Sequence, residues 1–482
     1  MIYIFLYNVV AIKADFTKLI HSKKQKMILI GSDYCLERLS KKNRSCFEKI
    51  HKLSGRDFHE VGFDEIEKIV LPYIKKHGAQ NIRLLTNEDS TQLTCARLRE
   101  KYDIPGCGVD QILPFVNKVV SKQRLDGIVR IPKFIKFDKQ KYLEDKEGYI
   151  DSIIKTLGFP MFAKPVDLAS SIETHYIPGL SKLETIVNRI FNSEYEFEID
   201  EFISGDIYPC DVFVENKEIK FVSVTKCSNT PAKYPKGVPL GIIQVIDKDI
   251  INAFEQFSKK ILKKLGVFNG VYHIEAFLDK ESKDLIFLEI AARAGGALMP
   301  KMCEKCYGLH TEEVNYLLQM GFINDIKATT KNIFAASIVF PKMKGEVAGI
   351  VKPDVEIEHK FSKFVHPGEM LLQGQNLLDM AANIIFWDKS YQKVHDTFER
   401  LKTFHPLTTV SAIPTLGFPN AIHNILFNEI SYIFWKDING IYYGGNSNEA
   451  KILNFNSPQE FTGKTIFEII DDYNEASIID DN

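Results

Sequence analysis

Glu275, Glu289 and Arg293 lie in one short stretch, and their types and spacing suit phosphate chemistry. Positions 271–278 and 284–290 are apolar runs rich in β-branched and aromatic residues. Asp279-Lys280-Glu281-Ser282-Lys283 between them is a turn signal. The pattern predicts two strands joined by a charged turn. Side chains alternate along a strand, so His273, Glu275 and Phe277 are expected on one face, and Leu285, Phe287 and Glu289 on one face of the partner. Glu275 and Glu289 then converge on one point. Arg293 follows directly, and Gly295-Gly296 lets the backbone approach a ligand. Two carboxylates offer hard oxygen ligands to Mg2+, and a guanidinium offers an anion a planar fork, so the set suits Mg2+-bridged phosphates. The same spacing fits an edge hairpin with exposed acids.

The elements that must position these residues can be read along the chain. Residues 27–31 read as a buried strand, 37–53 and 64–76 as helical, 81–86 as a strand and 91–101 as a helix closed by Ile104-Pro105-Gly106. This alternation argues for a small parallel α/β layer. Gly31-Ser32 falls short of the G-x-G-x-x-G fingerprint, so no dinucleotide site is expected there. Asn117-Lys118 opens a helix that closes at Gly127. In GFPMFAKP, 158–165, a hydrophobic strand delivers Lys164, and Pro165 holds the preceding residue extended. Lys164 is thereby placed as a point charge for phosphates. The loop after it, VDLASSIET, is small and polar at Ala169-Ser170-Ser171. Residues 211–215 and 218–225 alternate around Asn216-Lys217, a hairpin signal. The irregular run 227–241 reads as a lid, with Lys226, Lys233 and Lys236 giving it a positive face. A helix over 253–265 stops at Gly266. Helices are expected at 298–307 and 311–320, then a strand at 334–340 and a strand–turn–strand–helix succession to about 401.

The run E-I-A-A-R-A-G-G at 289–296, after H-I-E at 273–275, resembles the metal and phosphate end of the ATP-grasp superfamily, in particular its carboxylate–amine ligases of the L-amino-acid ligase type. The resemblance spans roughly 27–406. It implies an α/β (α+β) fold: a pre-ATP-grasp domain over 27–116, an ATP-grasp domain over 117–330 and a C-terminal ligase lobe over 331–414. It also implies ATP with Mg2+, or Mn2+, and a ligase that phosphorylates a small-molecule carboxylate and passes the acyl group to an amine. Residue by residue, Lys118 matches the helix-start lysine that reaches the nucleotide, although a solvated helix lysine is the ordinary alternative. Lys164 matches a phosphate-binding and catalytic lysine. Ser170 and Ser171 stand where family members carry glycines over the phosphates. Asp200, Glu201, Phe202 and Ile203 match the adenine hinge, where Phe202 and Ile203 also fit a core. Tyr208-Pro209-Cys210-Asp211 resembles Y-H-V-D, which makes Asp211 the expected ribose acid ahead of Asp206. Glu275 and Glu289 match the metal ligands, and Arg293 matches the group that stabilises the transferring phosphoryl group or acyl phosphate. Ala291 replaces the common asparagine.

Composition sets the remaining bounds. Of 482 residues, 45% are hydrophobic and 26% charged, and the net charge is −2, which points to neither a nucleic-acid nor a membrane partner. Eight cysteines without regular spacing argue for reduced thiols in a cytoplasmic protein. Cys303-x-x-Cys306 stands alone, and helix packing is favoured over zinc or redox work. The apolar opening MIYIFLYNVVAI is too short to span a bilayer and lacks signal-peptide features. Residues 1–26 are therefore expected to be a loosely attached extension, or to follow an unused start. Residues 434–469 resemble the opening of a PAS sensor domain, and 415–482 is expected to be a truncated PAS-like segment. A homodimer is compatible with all of this. The alternative expectation is a catalytically weak ATP-binding sensor or regulatory protein that uses its PAS-like end for partner contact.

Overall fold

In the computed structural model, the chain begins with a strand rather than an extension. The structure describes residues 1–21, 25–280, 282–322, 326–410, 434–436, 441–445, 450, 451, 453, 455, 457 and 460–469. Ile2–Tyr7 is β1, and it pairs in parallel with both β2 (Lys26–Gly31) and β4 (Ile82–Thr86); β3 (Lys49–Lys52) completes a sheet of order β3-β2-β1-β4. The physical reason is burial on both faces, which makes a central parallel strand read as an unbroken apolar run. Ile2, Ile4 and Leu6 pack with Ile66, Val70, Cys95 and Leu98 from the helices Phe63–His77 and Asp89–Tyr102. Tyr3, Phe5 and Tyr7 pack on the other face with Phe16 and with Tyr316 of the Thr311–Met320 helix. The expectation that residues 1–26 lie outside the fold is thereby corrected.

The next layer is the antiparallel sheet β5-β8-β6-β7, built from Phe134–Lys136, Phe197–Glu201, Met161–Pro165 and His175–Ile177. The helices Lys146–Leu157 and Leu180–Phe191 bury Ile153, Leu157, Leu183, Ile186, Val187 and Ile190 against it. A third group of strands runs in the order β13-β12-β9-β10-β11: Leu285–Ala291, Gly270–Asp279, Gly205–Glu215, Glu218–Cys227 and Leu240–Gln244. The 18-residue helix Lys248–Leu265 covers one face with Phe254, Phe257, Ile261 and Leu262, and Asp247 caps its start.

The chain divides into two compact units. The first comprises 1–232, 241–337 and 387–395, and the second comprises 233–240, 338–386 and 396–482. The stretches expected to be separate domains, 27–116 and 117–330, thus fall largely in one unit. In the second unit, Gly345–Ile350 pairs with Met370–Leu371 and with Leu407–Val410 around Val347, Val365 and Leu371. The run expected to be a wholly irregular lid contains a 3-10 helix, Pro231–Lys236, that buries Tyr234. The PAS-like reading of 415–482 falls mostly outside the described residues. What is described there is a two-stranded ribbon, Phe434–Lys436 with Tyr442–Gly445, and the short helix Ile466–Ile469. All eight cysteines are free, and Cys303 and Cys306 are buried on one helix. Among the described residues, no helix is long and apolar enough to cross a membrane.

Phe5 is fully buried, with ring centroids 5.0 Å from both Phe16 and Tyr316. We expect Phe5→Ala to lower unfolding stability by about 3–5 kcal/mol, read by chemical denaturation. A loss below about 1 kcal/mol would mean that β1 is not part of the core.

Candidate active site

The hairpin β12–β13 sets the site. Glu275 and Glu289 are direct cross-strand partners, while a bulge makes Ala276 pair with Phe287. The extra residue reverses the alternation. Phe287 therefore joins Ile274, Ala276 and Ile290 in the core, and Glu289 stays on the opposite face with Glu275. The expectation that Phe287 shares the face of Glu289 is corrected by that bulge. The side chain of Glu289 is 31% exposed, with the ammonium of Lys118 at 3.7 Å. Among the described residues, no group of three or more His, Cys, Asp or Glu could hold a metal. Two carboxylates are nevertheless enough for Mg2+, which takes its other ligands from phosphates and water.

Glu275 accepts a hydrogen bond from His273 Nε2 at 3.2 Å, and His273 Nδ1 lies 2.7 Å from Asp211 Oδ1. Burial opposes the charge on His273, but the hydrogen bonds to Asp211 and Glu275 outweigh it, and its pKa is pushed up to about 9. Burial likewise opposes the charge on Glu275. His273, Arg293 and Lys164 overcome it, and the pKa of Glu275 sits below the usual carboxylate value. Asp211 is 2% exposed, and its Oδ2 accepts the amide of Gly295 at 3.1 Å. With one oxygen on His273 and the other on Gly295, Asp211 joins the hairpin to the glycine turn. Asp206, the other candidate, is paired with Lys226 at 2.8 Å.

Lys164 is 5% exposed and belongs to a buried quartet of charges. Its ammonium lies 3.2 Å from Asp200 and 3.6 Å from Glu198. Lys122, fully buried, reaches Asp200 at 2.6 Å and Glu198 at 2.9 Å. Burial works against the charge on Lys164, but Asp200, Glu198 and Glu289 prevail and raise its pKa, so it stays an ammonium. The Asp200 carboxylate is thus committed to two lysines. The Glu201 carboxylate accepts the Lys133 amide at 3.0 Å, the Phe202 amide donates to Pro160 at 3.1 Å, Phe202 is exposed and Ile203 is half-buried.

Lys118 is the first residue of a helix capped by Asn117, and its ammonium donates to the Leu168 carbonyl at 2.6 Å. It therefore tethers the start of the 166–174 loop while facing Glu289. In that loop Ser170 and Ser171 have φ of 60° and 59°. These are left-handed values that favour glycine, so the backbone keeps a glycine-like course without glycines.

Arg293 is held by a residue that the sequence pattern did not single out. Its Nε and a terminal nitrogen donate to Asp89 Oδ2 at 2.9 and 2.8 Å. Asp89 opens the helix after β4, and the residues before it act on the same region. Asn87 Oδ1 accepts the Ala294 amide at 3.1 Å, and the Glu88 carboxylate accepts the amides of Asn8, Val9 and Val10. Lys122, Glu198 and Asp89 went unnoticed because charged residues on helices and strands ordinarily face water. The available signal was spacing: Lys118 and Lys122 share a helix face, and Glu198 and Asp200 share a strand face.

Residues 125–313 match the family model described as D-ala D-ala ligase C-terminus. The chain is 27% identical over 283 residues to a D-alanine–D-alanine ligase of Prochlorococcus marinus, covering 55% of this chain and 74% of that protein. It is 30% identical over 237 residues to the D-alanine–D-alanine ligase of Borrelia duttonii, covering 46% and 65% respectively. Among solved structures, the L-amino acid ligase from Bacillus licheniformis superposes with a TM-score of 0.63 at 14% identity, over 85% of this chain and 99% of that one. The biotin carboxylase domain of a Hydrogenobacter thermophilus 2-oxoglutarate carboxylase, in complex with MgADP, gives 0.58 at 13%, over 84% and 90%. Sheets, helices and neighbours together define an ATP-grasp fold. In sequence, residues 125–313 are similar to the C-terminal part of D-alanine–D-alanine ligases, and in fold the chain is similar to a carboxylate–amine ligase for L-amino acids. The matched model ends at residue 313 and lends the PAS-like reading of the C-terminal segment no support.

The raised pKa of His273 has a sign. A cation favoured by folding stabilises below its unfolded pKa, near 6.5, and that contribution is lost as pH rises through about 9. In Mg2+-free buffer we expect unfolding stability to fall between these values, and His273→Gln to remove most of the slope. An unchanged slope in the variant would assign the titration elsewhere.

Proposed function

We propose that this protein is an ATP-dependent ligase that activates an amino-acid-like carboxylate as an acyl phosphate and forms an amide with an amine. The supporting observation is the cross-strand pair Glu275–Glu289, flanked by Lys118 at 3.7 Å and followed by Arg293 clamped on Asp89. The D-alanine–D-alanine ligases among its relatives point to the same substrate class. In this reading Glu275 and Glu289 would hold Mg2+, which would supply charge neutralisation for the nucleotide phosphates. Lys118 and Lys164 face the phosphates, with Ser170 and Ser171 in the loop above them. Residues 200–203 line the adenine side through their main chain.

No side-chain nucleophile is required. The catalytic effect comes from placing acid, amine and phosphate together and from fixed charges aimed at the transferring group. Arg293 is the group for that charge, and the Asp89 carboxylate prevents its guanidinium from swinging away. Ala291, which stands in place of an asparagine, has no side-chain oxygen to offer a metal.

The test is ADP release from MgATP against a panel of amino acids and dipeptides offered in pairs. At least one acid–amine pair is expected to drive ADP release with equimolar amide formation. Glu289→Gln is expected to cut turnover by about a hundredfold or more, as the loss of a charged group acting in the transition state does, while an ATP-dependent thermal shift persists. ATP binding without ADP release on any pair would favour the sensor reading. Full turnover by Glu289→Gln would remove Glu289 from the metal site.

A further inference from the structure

Four of the nine residues in the helix Met299–Tyr307 carry sulfur: Met299, Met302, Cys303 and Cys306. Residues three, four and seven apart share one helix face, and all four side chains are buried. Such a face ordinarily packs on apolar neighbours. This one is opposed by polar side chains. Ser223 and Thr225 of β10, Gln244 of β11 and Asp211 of β9 line the same small cavity as the four sulfurs, and each is itself buried. The cavity has a volume of about 10 Å3, which leaves room for one water-sized guest and excludes an organic molecule.

The lining is held in place. Cys306 Sγ donates to Gln244 Oε1 at 3.2 Å, and Gln244 Nε2 donates to the Tyr307 hydroxyl at 2.8 Å. Met302 Sδ accepts the Ser337 hydroxyl at 3.1 Å. Met299 Sδ lies against the glycine turn: a Cβ added at Gly295 would sit 2.7 Å from it and 3.0 Å from Asp211 Oδ1.

The chemistry of the lining selects the guest. Thiolate and thioether sulfurs are soft donors, and they favour a soft cation such as Cu+. Structural zinc takes four ligands drawn from thiolates, imidazoles and carboxylates, and this face offers two thiols. Loss of one thiol proton for each monovalent cation keeps the buried set neutral, where an unbalanced charge would be costly. Burial pushes the Cys306 thiol up to about 12. The cation therefore has to displace a proton, and its binding tightens as pH rises.

We propose that the sulfur face of this helix is a binding site for a soft monovalent cation, Cu+, with Cys303 and Cys306 as thiol ligands and Met299 as the thioether ligand. Met302 is already engaged by Ser337 and supports the others. On binding, one S–H bond breaks, a sulfur–metal bond forms, the proton leaves to solvent, and no electron changes hands. The site requires neither nucleotide nor turnover, so it stands or falls separately from the ligase reading.

The test uses Ag+, which shares the charge and softness of Cu+ and keeps its oxidation state. Cys46 and Cys107, the two half-buried thiols, are first removed in a full-length Cys46→Ala, Cys107→Ala chain, so that readier thiols do not mask the site. One equivalent of silver nitrate is added in chloride-free buffer with excess free methionine as competitor, and retained metal is read by native mass spectrometry. One Ag+ per chain is expected, with about one proton released per cation and tighter retention at about pH 8 than at about pH 6. Cys303→Ser is expected to weaken retention about a hundredfold, and Met299→Leu, which keeps the volume, about tenfold. Cys35→Ser is expected to leave it unchanged, and Zn2+ is expected to be lost to the competitor. No Ag+ retained by the parent chain, full retention in Cys303→Ser or in Met299→Leu, or equal retention of Zn2+ would each overturn the proposal. Circular dichroism checks that each variant folds; if Cys303→Ser does not, Met299→Leu decides.

Discussion

Three consecutive polar residues, Asn87-Glu88-Asp89, sit where β4 gives way to its helix, and the site depends on them. Asn87 fixes the amide of Ala294, Glu88 gathers the amides of Asn8 to Val10, and Asp89 grips Arg293. Each reaches a different segment far away in sequence. Hydrogen bonds to charged groups are worth about 1.5–3 kcal/mol apiece, roughly twice the neutral kind. Burial nonetheless pushes the Glu88 carboxyl up to about 7, against the pull of those amides. The carboxyl is tolerated there because the chain around it is saturated with donors. Asn315 extends the arrangement by donating to Asn87 at 2.8 Å while accepting the amide of Val271 at 2.9 Å. The first strand, the fourth strand, the metal hairpin and its arginine are thus joined by a single polar seam.

A second device is the buried quartet of Lys122, Lys164, Glu198 and Asp200. Two cations and two anions balance, so their sum is neutral inside the sheet. Desolvation makes such a set a weak source of net stability, but removing one member strands a charge at a cost of about 3–5 kcal/mol. Its value lies in geometry. Lys164 is held by acids on a neighbouring strand, and Lys122 supplies the countercharge that keeps those acids from neutralising Lys164 alone. Glu198 Oε2 has no partner, which leaves the quartet slack on one side.

Several features could be read in the sequence for physical reasons. Alternation along two strands is enough to bring Glu275 opposite Glu289, and the run to Gly296 carries a recognisable order of acid, arginine and glycine. The bulge that moves Phe287 to the core has no local signature, because an extra residue in a strand looks like any other. The first strand was misread for a related reason: MIYIFLY is apolar without alternation, as a strand covered on both faces must be, and so is a short leader. The partners of the site residues were hidden more thoroughly. Asp89, Glu198 and Lys122 acquire their meaning only when segments distant in the chain are packed together, and a lone charged residue otherwise reads as surface. The partner of Asp211 was hidden in the same way: the register of β9 against β12 sets it opposite His273, whose ring lies 2.7 Å from its carboxylate.

These observations share one logic. Every charge that the proposed chemistry needs is held by another protein charge rather than by water: Arg293 by Asp89, Lys164 by Asp200, Glu275 by His273. Water would have to reorganise around a phosphoryl group as it moves, whereas side chains fixed in this way are already arranged when the reaction begins. The price is a set of buried ions that only saturated hydrogen bonding makes tolerable.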